Sequence, residues 1–169
     1  MLVKSFQLFG EKSFFAVEYK IENKELTYGF ARIWFKNEFI GTNEDIIPIK
    51  GYVVTGLKDL LNVPFLSPKI LKNSRNIYEY FESRINLVYD EDIDKHQVSF
   101  GTFCDNFLIF AFRMEDEITV TWKLISNNEE LIFDDLKIYP RDCFAKTFKY
   151  TSLKERIDAF DLLINQIGS

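Results

Sequence analysis

Residues 28–41 read YGFARIWFKNEFIG: a strand, a two-residue turn and a returning strand. Tyr28, Phe30, Arg32 and Trp34 share one face at period two, and Gly29, Ala31, Ile33 and Phe35 share the other. Lys36 to Glu38 carry the reversal, where Asn37 tolerates a positive φ. Phe39 and Ile40 then resume the apolar run until Gly41 and Thr42 end it.

The flanking segments extend the same pattern. Val3 to Phe9 and Ser13 to Ile21 read as an opening hairpin turned at Gly10, Glu11 and Lys12. Phe15, Val17, Tyr19 and Ile21 share a face opposite Glu18 and Lys20, the pattern of a sheet with one wet side. Between Thr42 and Asn73, Pro48, Pro64 and Pro68 confine the chain to short elements. Thr55 is a candidate N-cap for a small Leu57, Leu60 and Leu61 stripe, and Ser67 with Pro68 is a second helix start. Ser74 reads as the cap of a longer helix lined by Ile77, Phe81, Ile85 and Val88, with Arg75 and Glu79 one turn apart.

Further along, the acidic run Asp90 to Lys95 reads as a loop. Val98, Phe100, Thr102 and Cys104 alternate, and Phe107 to Phe112 is apolar on both faces, as a central strand covered on both sides requires. Ile118 to Leu124, Leu131 to Tyr139 and Cys143 to Tyr150 read as later strands. Ser152 and Glu155 form a capping-box pair ahead of the stripe Leu153, Ile157, Phe160, Ile164 and Ile167, which Gly168 ends. The expectation is one α+β domain over residues 1–169. It should have a mostly antiparallel sheet of about six to eight strands, short helices mid-chain and an amphipathic C-terminal helix on the sheet.

Composition narrows the function. The hydrophobic content of 47% can bury one sizeable core in 169 residues, and 18 Phe with 8 Tyr read as core filling rather than as a stacking surface. Net charge is −5, so nucleic acid and anionic membrane are poor partners and a basic protein or a cation is a better one. The N-terminus MLVKSFQLFGEK lacks a signal-type apolar run and no window reaches membrane-span length, which points to the cytoplasm. In that compartment Cys104 and Cys143 read as reduced thiols.

No residue set announces chemistry. His96 is the only histidine, which removes His-rich zinc sites, and a Cys104, His96 and Asp105 grouping lacks a nucleophile turn. Asp90, Asp92 and Asp94 match the opening of a calcium loop, but Lys95 and Gly101 stand where glycine and a bidentate glutamate are required. No phosphate-binding glycine loop is present, and no cofactor is expected. An RNA-binding sheet would need a basic field, whereas the loops carry Asp90, Glu91, Asp92, Asp94, Glu115, Asp116, Glu117, Glu129 and Glu130.

One stretch resembles a known family. Gly29 before the Ile33-Trp34 strand, the turn, the Ile40-Gly41 pair and the short Leu57, Leu60, Leu61 helix resemble a segment of immunity proteins from contact-dependent growth inhibition and related bacterial toxin systems. The resemblance covers residues 28–62. It implies a non-enzymatic cytoplasmic binder that occludes the active site of one cognate toxin domain, with a basic nuclease as the matching target for an acidic chain. On that reading the toxin-binding residues are Asp90, Glu91, Asp92 and Asp94, with Asp116 and Glu117 second. The alternatives are a nucleic-acid-binding sheet domain and a small enzyme of unrecognised type.

Overall fold

The hairpin at residues 28–41 forms with the expected faces, and two sheets are built around it. The computed structural model describes residues 5–73, 76–85 and 91–169. Strands β1 (Gln7–Glu11), β2 (Phe15–Asn23), β3 (Tyr28–Phe35) and β4 (Glu38–Ile40) pair in sequence order, and β5 (Ile47–Pro48) pairs with β3. Lys36 and Asn37 take φ of 47° and 70°, a turn whose twist matches the strands, and register Trp34 opposite Phe39. On β3 the face carrying Gly29, Ala31, Ile33 and Phe35 is buried, and the face carrying Tyr28, Phe30, Arg32 and Trp34 is not.

Two glycines of the hairpin have steric causes. A Cβ on Gly29 would lie 1.9 Å from the Lys20 carbonyl oxygen. Gly41 sits at φ +91°, and a Cβ there would stand 2.4 Å from the Phe103 ring.

The second sheet runs β6 (Phe107–Met114), β7 (Glu117–Leu124), β8 (Phe144–Lys149), all antiparallel. β6 is covered on both faces as expected, but it is an edge strand of its sheet and β7 is the central one. Phe107, Ile109 and Ala111 enter the main core with the first sheet, while Phe110 and Phe112 pack on a second cluster with Tyr78 and Phe81. The sheets meet where Phe35 lies 5.8 Å from both Trp122 and Phe148, ring centre to ring centre. Helices α1 (Thr55–Leu61), α2 (Pro68–Asn73), α3 (Ile77–Ile85), α4 (Glu91–Asp94), α5 (Asp134–Lys137) and α6 (Tyr150–Ile167) complete the described chain. The α6 stripe docks as expected: Leu153, Ile157, Phe160 and Ile164 are buried, and Phe160 packs on Phe9 and Tyr19.

Several local expectations are corrected. Thr55 is not a cap, because a π-helical turn, Lys50–Val54, leads straight into α1 and the Thr55 hydroxyl bonds back to the Lys50 carbonyl. The Ser152–Glu155 capping box does not form. The chain enters α6 directly from β8, so the helix starts at Tyr150, whose amide donates to the Asp116 carbonyl at 2.7 Å. Val98 to Cys104 is not a strand: Gly101 at φ +100° breaks it, and residues 102–104 turn so that Phe103 and Cys104 are buried. α3 is capped by Asn76, whose side-chain oxygen accepts the amides of Tyr78 and Glu79; Ser74, Arg75 and Val88 lie outside the described residues.

Two further segments expected as loop or strand are helical turns. Glu91–Asp94 is α4, because Ile93 must be buried against the α3 cluster. Leu131 to Tyr139 is not a strand but a loop containing α5. Its cause is a distant side chain: the Glu44 carboxylate accepts the Asp134 amide at 3.0 Å and the Asp135 amide at 2.9 Å, satisfying the helix start from another part of the chain.

Candidate functional site

The acidic residues singled out in the sequence are not brought into one site by any described contact. Asp94 is exposed on α4, which packs against α3, whereas Asp116 and Glu117 are exposed at the β6–β7 turn. Asp90, and the side chains of Glu91 and Asp92, lie outside the described residues. His96 and Cys104 also separate. The His96 ring is buried against Phe81, with Nδ1 2.9 Å from the Ala111 carbonyl oxygen. Cys104 is buried in the other cluster, where desolvation raises its thiol well above the ordinary value. Both thiols are free, and among the described residues no three of His, Cys, Asp and Glu gather as metal ligands.

What the fold does assemble is a polar lattice on the outer side of the first sheet. The β3 pleat points Arg32 outward, opposite Glu18 of β2. Arg32 Nη2 donates to Asp135 Oδ2 at 2.6 Å, its Nη1 lies 4.0 Å from Glu18, and its guanidinium stacks 4.2 Å from the Phe39 ring centre. Asp135 also accepts the Thr42 hydroxyl at 2.7 Å and the Asn43 amide at 2.9 Å. With Glu44 closing on the α5 amides, loop 42–44 and α5 are tied by bonds running both ways. Arg32 Nε and the Asn43 side-chain oxygen are buried without a hydrogen-bond partner. Beside them Lys12 lies over the Trp34 ring at 3.9 Å.

The lattice holds an apolar edge in water. Ile132 and Ile138, on either side of α5, are 80% and 89% exposed, the highest values among the exposed large hydrophobic residues, and Ile46 is exposed beyond the loop. Asp134 hydrogen-bonds the Lys137 ammonium at 2.6 Å, which holds its carboxyl below the ordinary carboxylate value. Behind the segment, Tyr139 accepts the buried Trp122 indole N–H at 2.9 Å and donates to the Phe39 carbonyl. Burial pushes the Tyr139 phenol far up. Reading residues 131–139 as a strand concealed this arrangement. The signal available was Asp134-Asp135 ahead of Leu136 and Tyr139 at spacing three, a helix-start pattern.

The arrangement belongs to a fold class of two antiparallel sheets sharing a core with a long C-terminal helix. Within that class the chain is similar to CdiI from Burkholderia dolosa, an immunity protein of contact-dependent inhibition, with a TM-score of 0.57 and 13% sequence identity. The match covers 91% of this chain and 99% of that one. No family model and no curated protein matches the sequence. Among the described residues, no helix is long and apolar enough to cross a membrane.

Proposed function

We propose that this chain is an immunity protein: a non-enzymatic, cytoplasmic binder that neutralises a cognate bacterial toxin domain by covering its active site. The observation that carries this reading is the fold shared with CdiI along nearly the whole of both chains. The resemblance through Gly29, Trp34 and Gly41 supports it from sequence. A net charge of −5 favours a basic target, and a nuclease groove is such a target. Asp94, Asp116 and Glu117, with Asp90, Glu91 and Asp92, act on this reading as charges that speed encounter. Exposed carboxylates, as Asp94, Asp116 and Glu117 are, raise association rate and salt sensitivity more than affinity.

The test is co-purification of the tagged chain from its host at low and at high salt. A basic toxin domain recovered in near-equal amount, whose toxicity is lost on co-expression, is the expected result. Recovery of the chain alone, or with nucleic acid, overturns the reading. With the domain in hand, Asp94→Lys, Asp116→Lys and Glu117→Lys together should slow association and flatten its salt dependence while the fold stays intact.

A further inference from the structure

Resting on that reading, we infer that the toxin docks on the edge formed by loop 42–46 and α5, with Ile132 and Ile138 as its apolar anchors. At 80% and 89% exposure Ile132 and Ile138 stand further into solvent than any other exposed large hydrophobic side chain among the described residues, and Ile46 at 56% lies on the adjoining loop. They are also not loose. The segment bearing them is fixed from behind by Leu131, Leu136 and Tyr139 in the core and from the side by Glu44 and Asp135. A partner therefore meets an ordered surface and is spared the entropy of ordering it.

Charge chooses the occupant. Loop 42–46 and α5 carry Glu44, Asp45, Asp134 and Asp135 against Arg32 and Lys137; Arg32 pairs with Asp135 and Lys137 with Asp134, so the excess negative charge of the edge comes from Glu44 and Asp45. The complementary surface is a protein face with lysines or arginines surrounding an apolar recess. The excess of negative charge disfavours a bare nucleic-acid backbone there. The arrangement is the usual division of labour at protein interfaces, in which a few anchored apolar groups hold the complex and rim charges guide it.

The experiment uses the full-length chain and the toxin domain recovered by co-purification. Ile132→Lys and Ile138→Lys, each exposed enough to leave unfolding in urea unchanged, should weaken binding by at least about tenfold, mainly through faster dissociation. Leu162→Lys, at an exposed aliphatic position on α6, should bind as the unaltered chain does. Amide exchange in the complex should be slowed over residues 43–46 and 131–139. If the toxin is neutralised yet both isoleucine variants bind with unchanged dissociation rates, and protection falls elsewhere, this surface is wrong and the immunity reading stands. If no toxin is recovered, the immunity reading itself fails, and the partner assigned to this edge goes with it.

Discussion

Replacing Asp135 by alanine strikes the lattice at its most connected group. The carboxylate accepts from Arg32, from the Thr42 hydroxyl and from the Asn43 amide, at 2.6, 2.7 and 2.9 Å. Ion pairs in open solvent contribute about 0–1 kcal/mol, whereas removing one partner of a buried pair costs about 3–5 kcal/mol. The Arg32 and Asp135 side chains are 17% and 15% exposed, and Glu18 remains 4.0 Å from the guanidinium, so the loss falls short of the buried limit. Thr42 is fully buried, and leaving its hydroxyl without that acceptor adds about 1–3 kcal/mol. These contributions share atoms and do not simply add, so a net loss of about 2–4 kcal/mol is expected. Urea unfolding followed by circular dichroism should show a lower midpoint at unchanged slope. A double-mutant cycle with Arg32→Met should return a coupling of about 1–3 kcal/mol for the pair. A destabilisation under about 0.5 kcal/mol would refute the view that these bonds hold the loop and α5 together.

Glu44→Ala should loosen α5 without unfolding the protein. Loss of a helix-start acceptor costs about 1 kcal/mol, seen as several-fold faster amide exchange at Asp134 and Asp135; unchanged exchange would remove Glu44 from its capping role. Phe160→Ala empties the centre of the α6 stripe and should lose about 3–5 kcal/mol in the same urea assay, and a loss under about 1 kcal/mol would contradict its burial. Tyr78→Phe should flatten the alkaline limb of stability. Burial, then the neighbouring Glu82 charge, raises the Tyr78 phenol far above its ordinary value of 10.0, so the folded state keeps a proton that the unfolded chain releases. The stabilisation is complete below pH 10 and declines as pH rises beyond it, at about 1.4 kcal/mol per pH unit. An alkaline limb equally steep in Tyr78→Phe would assign that loss to other groups.

The parts of the fold legible in the sequence are those whose pattern is local. The alternation of β2 and β3, the Lys36-Asn37 turn, the two-sided β6 and the α6 stripe all follow from periodicity, because each element's burial is decided by residues two to four positions apart. What periodicity missed depends on partners far along the chain. Residues 131–139 hold enough Leu, Ile, Phe and Tyr to read as a strand, yet Glu44, about ninety residues away, satisfies the amides that make a helical turn cheaper there. The α6 start moved to Tyr150 because the Asp116 carbonyl replaces a side-chain cap. The candidate site shares this property: Arg32 on the wet face of β3 was visible, but nothing adjacent to it announced Asp135 at a separation of 103 residues. Charge counting found the acidic character of the chain, and it directed attention to the densest run rather than to the carboxylates that long-range pairing gathers.

That dependence on distant partners bears on how the proposed surface works. A helix of four residues cannot sustain itself in water, since the first turn fixes several dihedrals for one hydrogen bond. The order of α5 is therefore borrowed from loop 42–44 and from the burial of Leu136, and the loop's order is borrowed in turn from Asp135. The two segments should open together rather than one after the other, which makes the exposure of Ile132 and Ile138 a property of the whole lattice. Added salt screens the outer carboxylates within about 10 Å at 0.1 M but acts weakly on pairs as enclosed as Arg32 and Asp135. Salt should then slow the approach of a basic partner while leaving its dissociation to the isoleucines. Weakening the lattice through Asp135 should do the reverse: encounter persists, and the complex no longer holds.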